Sequence, residues 1–143
     1  MLIEHILRRK GSDVLTAAAD DPLTDAIASL AERNVGALVV TDDDGAIVGI
    51  LSERDVVRSL ARSGASTLQG TVGDLMTTDV TTCGPRATVD ELMTTMTERR
   101  IRHIPVVDGE RLTGIVSIGD VVKTRIGELE TETETLHDYL SGR

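Results

Sequence analysis

The sequence predicts an α+β fold: two pseudo-symmetric β-α-β-β-α repeats packed together, with a short helix before them and an acidic helix after them. Three observations carry the prediction. Asp13-Val14-Leu15-Thr16, Glu32-Arg33-Asn34-Val35 and Val40-Thr41-Asp42 recur 66 residues later as Asp79-Val80-Thr81-Thr82, Glu98-Arg99-Arg100-Ile101 and Val106-Val107-Asp108. One residue is then lost in a turn. Gly49-Ile50-Leu51-Ser52-Glu53-Arg54-Asp55-Val56-Val57 recurs 65 residues later as Gly114-Ile115-Val116-Ser117-Ile118-Gly119-Asp120-Val121-Val122, with six of nine positions identical. Within each copy the apolar residues first lie three and four apart and then run together, the mark of a helix followed by a buried strand.

Each element follows in order. Residues 1–11 read as a short amphipathic helix stopped by Gly11. Glu4 and His5 break its apolar stretch and the basic residues come after that stretch, which is the wrong order for a secretory signal. Repeat 1, residues 12–61, opens with a strand at Val14–Thr16. A helix at Leu23–Arg33 turns Leu23, Ala26, Ile27 and Leu30 inward. Strands Ala37–Thr41 and Ile47–Leu51 flank the turn Asp42-Asp43-Asp44-Gly45 and form a hairpin. Ser52 opens the next helix. Residues 62–73, with Gly64, Gly70 and Gly73, form a linker.

Repeat 2, residues 74–126, repeats the plan. A strand lies at Val80–Thr82 and a helix at Val89–Arg99, facing inward through Val89, Leu92, Met93 and Met96. Strands His103–Val107 and Leu112–Val116 form a hairpin, and a helix opens at Ser117. Past residue 127 the chain turns acidic, and Leu129, Leu136 and Leu140 mark one apolar stripe of an exposed helix. That stripe packs either on its own repeats or on a second subunit. Neither repeat is expected to stand alone, because units of about 60 residues bury too little surface.

Composition removes several function classes. The chain has 143 residues, a formal net charge of −9, no Trp, no Phe and one Tyr, Tyr139. Such a chain repels a phosphate backbone and an anionic membrane surface, and it lacks the rings on which single-stranded nucleic acid stacks. Nucleic acid and membrane are therefore not expected partners. Cys83 stands alone, so no internal disulfide can form, and a cytoplasmic location is expected.

Enzyme readings find little support. Cys83 aligns with Ala17, where a small buried residue suffices. His5, His103 and His137 lack metal-ligand spacing. Asp42-Asp43-Asp44-Gly45 fails as a calcium loop, because Val40 and Leu51 fall on its first and last ligand positions. No phosphate-binding glycine signature of the P-loop or Rossmann type occurs. No catalytic and no metal site is expected.

The motif that carries chemistry is Ser-x-x-Asp after a strand, present as Ser52–Asp55 and Ser117–Asp120. It reads as a helix cap, with the hydroxyl and the carboxylate closing a capping-box-like pair. It also reads as a ligand grip, since a carboxylate accepts from vicinal hydroxyls and a helix N-terminus meets an anion. The copies differ. Gly119 leaves room before Asp120, where repeat 1 has Glu53-Arg54. Arg102-His103 enters its strand where repeat 1 has Gly36-Ala37.

With Arg102-His103-Ile104-Pro105-Val106-Val107-Asp108, these blocks resemble a CBS domain pair, the tandem module named after cystathionine β-synthase. The resemblance covers about residues 12–126. It implies a sensor that binds adenosine-containing ligands in the clefts between repeats. AMP is the foremost candidate, with ADP, ATP, NAD(H) and S-adenosylmethionine as others. It also implies a homodimer forming a four-repeat disc, read by an unidentified protein effector.

Carried onto this chain, the main site comprises Asp120 for the ribose, Ser117 at the phosphate end, Gly119 leaving room at the helix start, and Arg102 and His103 as basic contacts. Ile104 and Pro105 would wall the adenine, and Thr82 would approach the adenine or the ribose. The second site comprises Asp55, Ser52 and Arg54, with Thr16, Ala37 and Leu38. Arg58, Arg99, Arg100 and Lys123 are further phosphate candidates. The alternative function is a constitutive interaction scaffold, in which both motifs merely cap helices. A scaffold has no need of Ser117, Gly119, Asp120, Arg102 and His103 together.

Overall fold

The computed structural model describes residues 1–142 and holds six α-helices and two small sheets among them. Helix α1 (Ile3–Lys10) leads. Repeat 1 follows as β1 (Thr16–Ala17), α2 (Leu23–Arg33), β2 (Ala37–Thr41), β3 (Ile47–Ser52) and α3 (Glu53–Ser63). A 3-10 turn (Gly64–Gln69) and helix α4 (Val72–Leu75) lead into repeat 2. That repeat consists of α5 (Val89–Arg99), β4 (His103–Asp108), β5 (Arg111–Ser117) and α6 (Ile118–Leu140).

The predicted spans of α2, β2 and α5 match the structure residue for residue. The two apolar clusters explain why: Leu23, Ala26 and Leu30 face Leu38, Val40 and Leu51 in one, and Val89, Leu92 and Met96 face Ile104, Val106 and Val116 in the other. In repeat 1 the sheet order is β1-β2-β3, with β1 parallel and β3 antiparallel to β2.

Three expectations need correction. No strand forms at Val80–Thr82; repeat 2 keeps only a bridge between Cys83 and Val106. Proline explains the loss. In repeat 1 the Val39 N–H donates to the Leu15 carbonyl at 3.0 Å. Pro105 holds the equivalent place in repeat 2 and has no N–H, so the ladder cannot extend. The acidic tail is not a separate helix either, but the second half of α6, which runs unbroken from Ile118 to Leu140.

The third correction concerns the segments before each repeat. Residues 62–73 are not a free linker: Thr71 bridges Pro22, and Val72 is fully buried in the repeat 1 cluster with Leu75 and Met76 packed against it. Likewise Leu2 bridges Thr88, and Ile3, Ile6 and Leu7 belong to the repeat 2 cluster. Each leading helix therefore completes the core of the other repeat. Two glycines admit these helices. A Cβ on Gly49 would lie 2.6 Å from the Met76 sulfur, and one on Gly114 would lie 2.6 Å from a Leu7 methyl.

Candidate functional site

Both Ser-x-x-Asp motifs cap helices, as local chemistry demands. Ser52 begins α3, where its backbone N–H donates to Asp55 Oδ2 at 2.9 Å and its hydroxyl accepts from the Asp55 N–H. Ser117 begins α6 in the same way, its N–H donating to Asp120 Oδ2 at 2.9 Å. The capping reading is thus realised in both repeats, and it leaves part of each carboxylate for other partners.

Those partners differ. The Thr77 hydroxyl donates to Asp55 Oδ1 at 3.2 Å. The Lys10 ammonium sits 2.6 Å from Asp120 Oδ2 and also donates to the Ile115 carbonyl at 2.8 Å. Ile50, the counterpart of Ile115, instead exchanges backbone hydrogen bonds with Thr77. The same position is therefore served by a neutral hydroxyl in one repeat and by a cation in the other. Burial pushes the Asp120 carboxyl up, but the Lys10 and Ser117 hydrogen bonds and the Lys10 charge outweigh it and hold the group below its ordinary range.

A cleft of about 450 Å³ opens between the repeats at Asp55. Ser52, Arg54 and Arg58 at the start of α3 form one wall. Arg99 and Arg100 at the end of α5, with Arg102 and His103, form the other. Thr77, Asp79, Val80 and Thr81, with Gly36, Ile50, Glu53 and Ile101, complete the lining. The Arg54 guanidinium spans the walls and donates to the Arg100 carbonyl at 2.9 Å, while Arg99 donates to the Thr81 hydroxyl at 3.0 Å.

Arg102 and His103, expected beside Asp120, thus line the cleft that contains Asp55. His103 is shared, since its Cα also pairs with that of Ser117 across β4 and β5. Gly36 makes room for its ring: a Cβ there would lie 3.1 Å from the imidazole. Burial lowers the His103 pKa from its ordinary value; the charges of Glu53 and Asp120 oppose this, and those of Lys10 and Arg102 reinforce it.

The other expected residues lie elsewhere. Ala37 and Leu38 are buried in β2, and Ile104 and Pro105 are buried in β4, none of them lining this cleft. Thr16 and Thr82 are exposed outside it, as is Gly119. Lys123 borders a second hollow of about 820 Å³ between α1 and α6, together with Arg9, Lys10 and Asp120. Sequence reasoning missed Gly36, Ile50, Glu53, Ile101, Thr77, Asp79, Val80 and Thr81. Thr77 was within reach, because it continues the segment that matches α1 in the other repeat.

Among the described residues no group of three or more His, Cys, Asp or Glu side chains is placed to hold a metal. Burial, with help from the Glu91 charge, pushes the Cys83 thiol up to about 11, and Cys83 lies outside the cleft. A nucleophilic thiolate is not available there. What the cleft does offer is a carboxylate for hydroxyl groups, a helix N-terminus and a set of guanidiniums. No helix among the described residues is long and apolar enough to cross a membrane.

Comparison with known proteins gives a consistent picture. The family model described as CBS domain matches residues 3–62 and again 72–127. The chain is 38% identical to "CBS domain-containing protein CBSX3, mitochondrial" of Arabidopsis thaliana, over 98% of this chain and 72% of that protein. It is similar to the crystal structure of the CBS-domain containing protein ATU1752 from Agrobacterium tumefaciens, with 46% identity and a TM-score of 0.84, covering 87% of this chain and 92% of that one. It is also similar to the CBS domain pair of protein MJ0100 in complex with 5′-methylthioadenosine and S-adenosyl-L-methionine, with 28% identity and a TM-score of 0.80, covering 90% and 98%.

Proposed function

Because this chain belongs to the CBS domain family, we propose that it is a regulatory module that binds an adenosine-containing ligand in the cleft at Asp55. The observation that carries the proposal is the composition of that cleft. Asp55 keeps Oδ1 for hydroxyl donors, as its bond from Thr77 illustrates. A ribose diol is the ligand group that matches this acceptor, and the α3 N-terminus with its arginines suits the phosphate end. The adenosine-containing ligands of the MJ0100 structure support the choice of nucleoside.

The mechanism is differential binding. The lining comes from both repeats, so an occupant ties α3 to the end of α5 and favours one relative placement of the repeats. A partner that binds that placement better than the empty one reads the signal, and by linkage it tightens ligand binding by the same factor.

The test is direct. With one Tyr and no Trp the protein barely absorbs at 280 nm, so a co-purified adenine would dominate the spectrum near 260 nm. Mass spectrometry of acid-released ligand, backed by calorimetry with adenosine, its phosphates and S-adenosylmethionine, is expected to show binding. One observation favours a second reading, a constitutive scaffold: both carboxylates already serve their own helix caps. Absence of binding to every adenosine compound at millimolar concentration would leave the scaffold as the better account.

A further inference from the structure

We infer that the cleft at Asp55 selects nucleotides with two or more phosphates, and that Arg100 is a residue that discriminates them from monophosphates. For the nucleoside half of the ligand this rests on the reading above; the polyphosphate half stands on separate observations.

The first is charge. Arg54, Arg58, Arg99, Arg100 and Arg102 line the cleft against three carboxylates, those of Glu53, Asp55 and Asp79. This positive excess sits in a chain whose formal net charge is −9. None of the five arginines takes part in a salt bridge among the described residues; the side-chain cations so engaged are Lys10 and Arg125. With Asp55 turned to ribose hydroxyls, the cleft keeps five arginines against only two carboxylates. A single phosphate carries at most two negative charges and cannot satisfy that set. A diphosphate or triphosphate supplies both more charge and more acceptor oxygens, in the geometry a guanidinium fork matches. The same excess opposes a sulfonium ligand.

The second observation is the backbone at Arg100. It caps α5 in the left-handed region, at φ 55° and ψ 44°. The equivalent cap of α2 is Asn34, at φ 53° and ψ 46°. Asparagine tolerates this conformation, whereas a long side chain is disfavoured there. Repeat 1 shows that the turn does not need arginine. What Arg100 adds is a charge at the cleft, bought with backbone strain.

The experiment is calorimetry on the full chain with adenosine, AMP, ADP, ATP, S-adenosylmethionine and inorganic triphosphate, at low and moderate salt. ADP and ATP are expected to bind at least tenfold more tightly than AMP, and S-adenosylmethionine more weakly than AMP, with the polyphosphate advantage shrinking in salt. Arg100→Asn is expected to keep or raise the melting temperature, since it copies the Asn34 cap. It should weaken ATP binding by a larger factor than AMP binding and so remove most of the ATP advantage. Arg99→Gln is expected to act in the same direction. AMP binding as tightly as ATP, or an unchanged ATP-to-AMP ratio in both variants, would overturn the inference. Binding of inorganic triphosphate with no binding of any adenosine compound would uphold the polyphosphate class and reject the adenosine reading. No binding of any probe would reject both.

Discussion

Asp55 and Asp120 hold equivalent places, yet a hydroxyl meets one and an ammonium meets the other. A ribose displaces a hydroxyl at little cost, because one neutral hydrogen bond replaces another. At Asp120 the Lys10 ammonium already holds the capping oxygen Oδ2 through a charge-assisted bond, and it competes with a ribose for the carboxylate's charge. Asp55→Asn is therefore expected to weaken ligand binding by about 1.5–3 kcal/mol, and Asp120→Asn by less than about 0.5 kcal/mol. Both variants weaken a helix cap, so each melting temperature must be measured beside the titration. Equal losses in the two variants would contradict the assignment of the working site to Asp55. His103 yields a pH prediction. Its pKa is lowered on folding, so the unfolded chain takes up the proton first. Stability is fully present above the ordinary histidine value of about 6.5 and falls as the pH drops through the folded value. The melting temperature of the parent chain should decline more steeply from pH 7.5 to 5.5 than that of His103→Gln; parallel slopes would remove His103 as the cause.

At the scale of elements, the exchange of leading helices governs the fold. Helix α1 begins 86 residues before α5, Ile3 against Val89, yet both feed one apolar cluster. Amphipathicity told that α1 had a face to bury; it did not tell which repeat would bury it. Gly114 is the point of closest approach. Its added Cβ would meet both Leu7 methyls, at 2.6 and 2.8 Å. Gly114→Ala is expected to destabilise the protein by about 1–3 kcal/mol through overpacking. Combining it with Leu7→Ala should recover part of that loss, measured by denaturant unfolding. If the two losses simply add, α1 does not seat on β5 as described.

At the scale of the whole molecule, α6 leaves an apolar stripe uncovered. Ile118, Val122, Ile126, Leu129, Leu136 and Leu140 are all exposed, and Tyr139 is 79% exposed. The stripe does not pack on its own repeats. Contiguous apolar surface of this kind marks an interaction site. A second copy is the proposed occupant, with α6 and the exposed Val57 and Leu60 of α3 meeting across a dimer. Truncation after Gly127 removes Leu129, Leu136, Tyr139 and Leu140 while leaving the Asp55 cleft intact. The shortened chain is expected to dissociate at a higher concentration in sedimentation velocity, with ligand affinity within about twofold of the full chain, well under the 1.4 kcal/mol that separates a decade. Identical dissociation of the two chains would show that the tail is not part of the dimer.

What the sequence determined by itself was local and periodic. The repeat offset set the architecture, the three-and-four spacing placed α2 and α5, and Ser-x-x-Asp placed the starts of α3 and α6. These succeed because a helix stripe, a hairpin turn and a cap are decided within a few residues of chain. Tertiary structure alone decided which side chains share a cleft. Arg102 and His103 belong to repeat 2 by sequence but face Asp55 of repeat 1, because a cleft between pseudo-symmetric halves is built from both. It also decided that Lys10, far from Asp120 along the chain, would occupy its carboxylate. Such pairings follow from how two finished cores dock, and no local period in the chain records that docking.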